Sequence, residues 1–278
     1  MKNTKESFVI LYIKEATVLE DNHVHTNYCP HGSRYLMEEY VVEAIEKGVQ
    51  KLTFTEHAPL VIDDPTPEKD SAMLEKDVSE YIEEGKRLKE KYKEKIEVNI
   101  GFEVDFIEGK EVETAAFLER YSDMVPYSIL SVHFLKFDEN DYFCIDYSKE
   151  AFMEKAETAG FNKLYQLYED TLLSALSLPF GELTPKTIGH ITLINKFKRA
   201  YVFEDPIEWN QILRKVQNNG YQLDYNFAGF DKVDYQESYP PEELVKEALE
   251  LSIPLSLGSD AHQPKEVGRH FERSLVDG

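Results

Sequence analysis

The sequence is short of cysteine, of positive charge and of long apolar runs. Only Cys29 and Cys144 occur in 278 residues, which excludes a disulfide framework and a thiolate zinc cage and fits a reducing, cytoplasmic setting. With 31 Lys and Arg against 53 Asp and Glu, the net charge of -22 removes the electrostatic drive toward nucleic acid or anionic membranes. No stretch approaches the roughly 18 consecutive apolar residues of a membrane helix. The run FVILYI follows Lys2 and Lys5 but closes at Lys14 and Glu15 without a small-residue cleavage site, so it reads as an extra strand or ordered tail. A GxGxxG turn after the first strand is also missing, which argues against a dinucleotide-binding, doubly wound sheet.

What is present is a rhythm of strand and helix. ATVLEDNHVH is strand-like, RYLMEEYVVEAIEKG is helical and stopped by Gly48, and KLTFTEH is strand-like again. A charged helix from about Ala72 to Lys95 leads to IEVNIGFEVDF, and a helix near Lys110 to Tyr121 leads to YSILSVHFL. After an insertion around DENDYFCIDYS, a long helix is expected from Lys149 to about Ser177, then TIGHITL, a helix from about Asp205 to Asn218, YQLDYNFA, a helix from Pro241 to Leu251, and IPLSLGSDAH. These make about seven β/α units, and right-handed crossovers between parallel strands favour a closed α/β barrel. Nothing marks a linker or a repeat, so one domain over residues 20–278 is expected, preceded by an extension at residues 1–19. DDPTPEKDSAM, residues 63–73, is the most loop-like stretch and a candidate lid.

Seven of the eight histidines fall at or just beyond a predicted strand end: His23, His25, His31, His57, His133, His190 and His262. In a β/α barrel those ends converge on one mouth. A lone histidine there is more often a satisfied core or surface residue, but seven that avoid the helices point to a shared site. His23 and His25, spaced i, i+2, share a strand face, and Asp260 and His262 repeat the device at the last strand. Glu103 stands in an apolar strand, where a lone carboxylate is unfavourable unless it binds a cation. Imidazole with a minority of carboxylate is the ligand set of zinc, iron or manganese. His270 reads as a helical surface residue, Cys29 and Cys144 as small buried hydrophobes, and EEGKRLKEKYKEK and EKAE as solvated helix faces.

In this order HVHTNYCPHGS, FTEHAPL, GFEVDF, SVHFL, IGHITLINKF and GSDAHQPKEVG resemble the motif series of the PHP (polymerase and histidinol phosphatase) superfamily, in its histidinol-phosphate phosphatase branch, from about residue 21 to 269. The resemblance implies a distorted (β/α)7 TIM-like barrel with a trinuclear centre of zinc, manganese or iron, two or three ions in all. His23, His25, Glu103 and Asp260 would hold one ion, Glu103 would bridge to a second held by His133 and His190, and His31, His57 and His262 would hold the third. The activity implied is hydrolysis of L-histidinol phosphate to L-histidinol and phosphate by metal-activated hydroxide, with Glu103 and Asp260 orienting it and no phosphoenzyme. Arg269, Lys196 and Arg199 are candidate phosphate contacts, while Glu56 and Asp105 would either meet the substrate amine or serve the structure. The partner expected is a small phosphorylated molecule, not nucleic acid or membrane, with homo-oligomerisation left open. Two alternatives remain: a PHP phosphoesterase for another small ester or phosphotyrosine, and a non-catalytic metal-binding interaction protein.

Overall fold

Short apolar strands alternate with one-sided helices through residues 19–276, the part of the chain that the computed structural model describes. The FVILYI run and residues 1–18 of the expected extension lie outside the described residues. The elements are β1 (Glu20–Val24), α1 (Met37–Glu46), β2 (Lys51–His57), α2 (Val78–Tyr92), β3 (Glu97–Asp105), α3 (Glu111–Arg120) and β4 (Ile129–Ser131). They continue with β5 (Phe134–Asp138), β6 (Asp141–Cys144), α4 (Lys149–Ala159), α5 (Phe161–Ala175), β7 (Thr187–Ile188), α6 (Trp209–Asn218), β8 (Gln222–Asn226), α7 (Glu242–Glu250) and β9 (Leu255–Gly258).

Seven strands form one sheet in the order β1-β2-β3-β4-β7-β8-β9, and each neighbouring pair is parallel. The sheet curls until its two ends meet: Val24 bridges Ala261, His25 N–H donates to the Ala261 carbonyl at 2.9 Å, and Asp260 N–H donates to the His23 carbonyl at 2.7 Å. This is the distorted (β/α)7 barrel. Helices pack outside it along single stripes; α1 buries Met37, Tyr40, Val41 and Ala44, the i, i+3, i+4, i+7 positions of one face. Register then decides what meets at the mouth. The β2–β3 ladder runs unbroken from Lys51 opposite Glu97 to His57 opposite Glu103.

Five expected elements are revised. The long helix from Lys149 to Ser177 is two helices, because Gly160 adopts φ +88° and turns the chain between α4 and α5. YSILSVHFL is not one strand: β4 ends at Ser131, and the following residues pair with the DENDYFCIDYS insertion as the antiparallel β5–β6 hairpin. The helix expected from Ala72 begins at Val78, and the one expected from Asp205 begins at Trp209. Asp205 instead accepts from Ile207 N–H and Trp209 Nε1–H, both at 2.9 Å. Around His270 there is a single 3-10 turn, Phe271–Arg273, entered through a left-handed His270.

Candidate metal centre

All seven strand-end histidines, with Glu103 and Asp260, meet at the C-terminal mouth of the barrel. Glu103, on β3 and 1% exposed, lies at the middle of the group. Its Oε2 is 3.3 Å from His23 Nε2, 3.4 Å from His25 Nε2 and 3.2 Å from His57 Nδ1, while its Oε1 is 2.9 Å from His190 Nε2 and 3.7 Å from His133 Nε2. One carboxylate thus faces two sets of imidazoles. Asp260 Oδ1 completes the first set, 3.4 Å from His25 Nε2 and 4.0 Å from His23 Nε2. Asp260 is left-handed at φ +51°, which sends its carbonyl to the Arg269 guanidinium at 2.7 Å and leaves the carboxylate with the imidazoles.

Five of these rings have the outer nitrogen committed, whereas the buried His190 Nδ1 has no partner among the described residues. His23 Nδ1 donates to Asp224 Oδ2 at 2.8 Å, His25 Nδ1 to Glu56 Oε1 at 3.3 Å, and His133 Nδ1 to Asp105 Oδ1 at 2.8 Å. His31 Nδ1 reaches the Asp70 carbonyl at 2.8 Å and His262 Nδ1 the Asp260 carbonyl at 3.2 Å. An ionised carboxylate or a carbonyl only accepts, so each bond keeps a proton on Nδ1 and leaves Nε2, once deprotonated, as the nitrogen that offers a lone pair inward. Glu56 and Asp105 are therefore ring-orienting groups, and Asp224 joins them. Gly258 makes room for the Asp224 bond: a Cβ there would strike Asp224 Oδ1 and come within 2.7 Å of His23 Cβ.

Inward lone pairs at these spacings fit divalent cations. His23 and His25 face each other Nε2 to Nε2 at 3.2 Å, and so do His133 and His190. Two nitrogens on one tetrahedral zinc are separated by about 3.3 Å, given bonds of roughly 2.0–2.1 Å. Donor atoms group within 4.8 Å of one another as His23, His25 and Glu103; as Glu103, His133 and His190; and as His25, Cys29, His57 and His262. The first lacks Asp260 of the four residues expected around one ion, and the second has the three expected around another. The third differs, because it includes Cys29, whose Sγ is 3.4 Å from His31 Nε2, while His31 itself lies on the exposed side. Cys29 is buried as expected but borders the site; Cys144 is only half-buried and lines the cavity described next.

Charge in the centre is balanced by proximity. Burial favours the neutral acid at Glu103, but His23, His133 and His57 outweigh it and hold the carboxyl well below its usual range. Asp260 is held low in the same way by His23, His25 and His262. Burial opposes the charged form of His133, yet Asp105 and Glu103 push its pKa up to about 10.

Beside the donors opens a cavity of about 440 Å³. Lys196 and Arg269 line it; Lys196 Nζ is tied to Asp146 Oδ2 at 2.9 Å, and Arg269 is held by Glu266 at 3.1 Å. Arg199 does not line it: the side chain is exposed and meets Gln236, so the sequence proximity to His190 does not bring it to the site. Lys232, which the sequence did not single out, does line it, and burial together with Lys196 and Arg269 pulls it below the usual lysine range. The loop at 63–73 contributes Thr66, Glu68, Asp70 and Ser71 to the lining, folded around Asp64, whose carboxylate accepts from Thr66 N–H and Ser71 N–H at 2.9 Å each.

A parallel barrel with clustered imidazole and carboxylate donors at its C-terminal mouth is the architecture of a metal-dependent hydrolase. The chain matches the PHP domain family over residues 21–228 and belongs to it. It is 38% identical to a histidinol-phosphatase of Bacillus subtilis (strain 168) over 262 residues, 92% of this chain and 97% of that one. A probable histidinol-phosphatase of Deinococcus radiodurans is 34% identical over 94% of this chain and 93% of its own length. Among solved structures, a Listeria monocytogenes chain assigned as the histidinol phosphatase HisK superposes with a TM-score of 0.85 at 32% identity, covering 91% of this chain and 99% of that one. A Lactococcus lactis histidinol phosphate phosphatase, solved with zinc, L-histidinol and phosphate, shares the fold at a TM-score of 0.64 and 21% identity over 93% and 92% of the two chains.

Proposed function

We propose that this chain hydrolyses L-histidinol phosphate to L-histidinol and inorganic phosphate, using two or three divalent ions drawn from zinc, manganese and iron. The observation that carries the reading is Glu103, one carboxylate set between two imidazole pairs whose Nε2 atoms face each other at 3.2 Å. Full-length relatives that carry the histidinol-phosphatase name support the substrate. When bound, clustered divalent ions supply hydroxide at neutral pH and neutralise phosphoryl charge.

The chain's own residues do the rest. His23, His25, His133 and His190 hold the ions through Nε2, with Glu103 spanning the two pairs and Asp260 closing the first. His57, His262 and His31 surround a third position. Asp260 and Glu103 stay ionised, so they hold and orient rather than donate a proton. Lys196, Lys232 and Arg269 meet the phosphoryl dianion inside an otherwise acidic protein. Glu68 and Asp70, which line the same cavity, are the carboxylates offered to the cationic end of an amino-alcohol substrate.

The test is phosphate release from L-histidinol phosphate by the zinc- or manganese-loaded protein, with His133→Ala and a panel of other phosphate esters in parallel. Selective release that is lost in the variant supports the reading. Turnover of other esters alone discards the substrate and keeps the phosphatase. Full metal content without turnover of any ester discards both.

A further inference from the structure

Most of the buried tyrosines among the described residues bond their hydroxyls. Tyr40 donates to the His262 carbonyl at 2.9 Å, Tyr81 to Gly101 at 2.8 Å, Tyr168 to Ile191 at 2.8 Å and Tyr221 to Ala175 at 3.0 Å. Tyr239 is an exception. It is 1% exposed and lines the cavity beside the donors, yet among the described residues its hydroxyl is the one tyrosine oxygen both buried and without a partner.

This placement is held firmly. Tyr239 and Asn226 exchange two main-chain hydrogen bonds of 2.8 Å at the end of β8, and the Tyr239 ring stacks on Tyr235 at 4.2 Å and 9°. Its other aromatic neighbour is His190, met edge-on at 6.3 Å. Two further buried atoms without a partner, Arg269 Nε and His190 Nδ1, belong to residues that line the cavity, and Lys232 lines it too. Unmet donors and a desolvated lysine around one cavity are complementary to an anion. Burial keeps the phenol protonated far beyond neutral pH, so it acts as a donor.

We propose that the Tyr239 hydroxyl is a phosphoryl-binding group, donating its hydrogen bond to a non-bridging oxygen of the phosphate monoester that occupies this cavity. The inference rests on the phosphatase reading above but names a residue that reading does not need. A hydroxyl that bonds only with substrate in place is worth nothing to the free protein. Its removal should therefore separate function from stability.

The experiment compares Tyr239→Phe with the wild-type metal-loaded protein on L-histidinol phosphate and on p-nitrophenyl phosphate. It also records inorganic phosphate inhibition, metal content, Tm, and the rise in Tm that phosphate induces. The expected result is a loss of about 10- to 100-fold in kcat/KM on both esters, the range for a hydrogen bond to a charged group. Phosphate inhibition and the phosphate-induced rise in Tm should weaken with it, while metal content is unchanged and the phosphate-free Tm is held or raised. Tyr235→Phe, which removes a hydroxyl bonded to Ser238 and Thr192, should lower Tm and keep the phosphate response. An unaltered phosphate response in Tyr239→Phe overturns the proposal, and so does a fall in Tm together with metal content. Failure of the wild type on L-histidinol phosphate alone removes the substrate assignment, and the p-nitrophenyl phosphate and phosphate-binding arms still decide the role of Tyr239.

Discussion

Asp224 Oδ2 and His23 Nδ1 meet at 2.8 Å across the barrel, although 201 residues separate them in the chain. The same oxygen receives the His190 main-chain N–H at 3.3 Å and Asn226 Nδ2–H at 3.1 Å. One buried carboxylate thus aims an imidazole from the first strand and seats the loop that carries another. Asp224→Asn keeps the volume but lacks the anionic acceptor. Metal affinity, measured by competition with a chelator, is expected to fall about 10- to 100-fold. Unchanged affinity would show that packing alone orients His23.

A steric experiment probes the same contact from the other side. Gly258→Ala would place a methyl group against Asp224 Oδ1 and His23 Cβ. Overpacking there is expected to cost about 1–3 kcal/mol in stability, with metal affinity lowered in the same variant. A Tm and an affinity both equal to wild type would mean that the strand ends shift freely, contrary to the tight fit described.

Metal uptake should release protons. Without metal, carboxylates raise His23, His25 and His133 above the ordinary imidazole range against the opposing effect of burial, His133 to about 10. These rings carry protons at pH 7 that a cation must displace, so apparent affinity is expected to rise with pH. Calorimetry of zinc binding in buffers of different ionisation enthalpy reads the number released. Zero net release at pH 7 contradicts this account.

At the surface, Glu38 provides a simpler pH dependence. Bonds from Lys91, Tyr92 and Arg87 lower its pKa to about 2, the Tyr92 hydroxyl at 2.7 Å and Arg87 at 2.9 Å. A folded pKa below the unfolded one stabilises above about pH 4.5, and that contribution is lost as pH falls toward 2. Because the side chain is 27% exposed, Glu38→Gln should lower stability at pH 7 by no more than about 1 kcal/mol. The difference from wild type should shrink in acid and in high salt, and a pH-independent difference would sink the ion-pair explanation.

The histidines were legible because strand ends have a fixed address in a barrel: period-2 spacing placed His23 with His25, and the motif order placed the rest at one mouth. The ring-orienting acids were only half legible. Glu56, Asp105 and Asp224 all stand in stretches that read as strands, but which ring each meets depends on cross-strand register that spacing along the chain does not carry. Lys232 lies in a loop, where no periodicity points inward, and Arg199 shows the converse, since closeness to His190 in sequence did not bring it to the cavity. The break at Gly160 had its residue in plain view, but the apolar pattern on both sides is helical and hides the turn.

The barrel closes where β1 meets the chain beyond β9, joined by the Val24–Ala261 bridge and by Asp21, whose carboxylate accepts from Ser259 N–H at 2.9 Å and Gly268 N–H at 2.8 Å. His23 and His25 stand on one side of that seam, Asp260 and His262 on the other. A cation held by both sides would act as a clasp, so that opening the barrel and dismantling the centre would be one event. Metal affinity is then stored as fold stability, growing with the logarithm of free metal concentration.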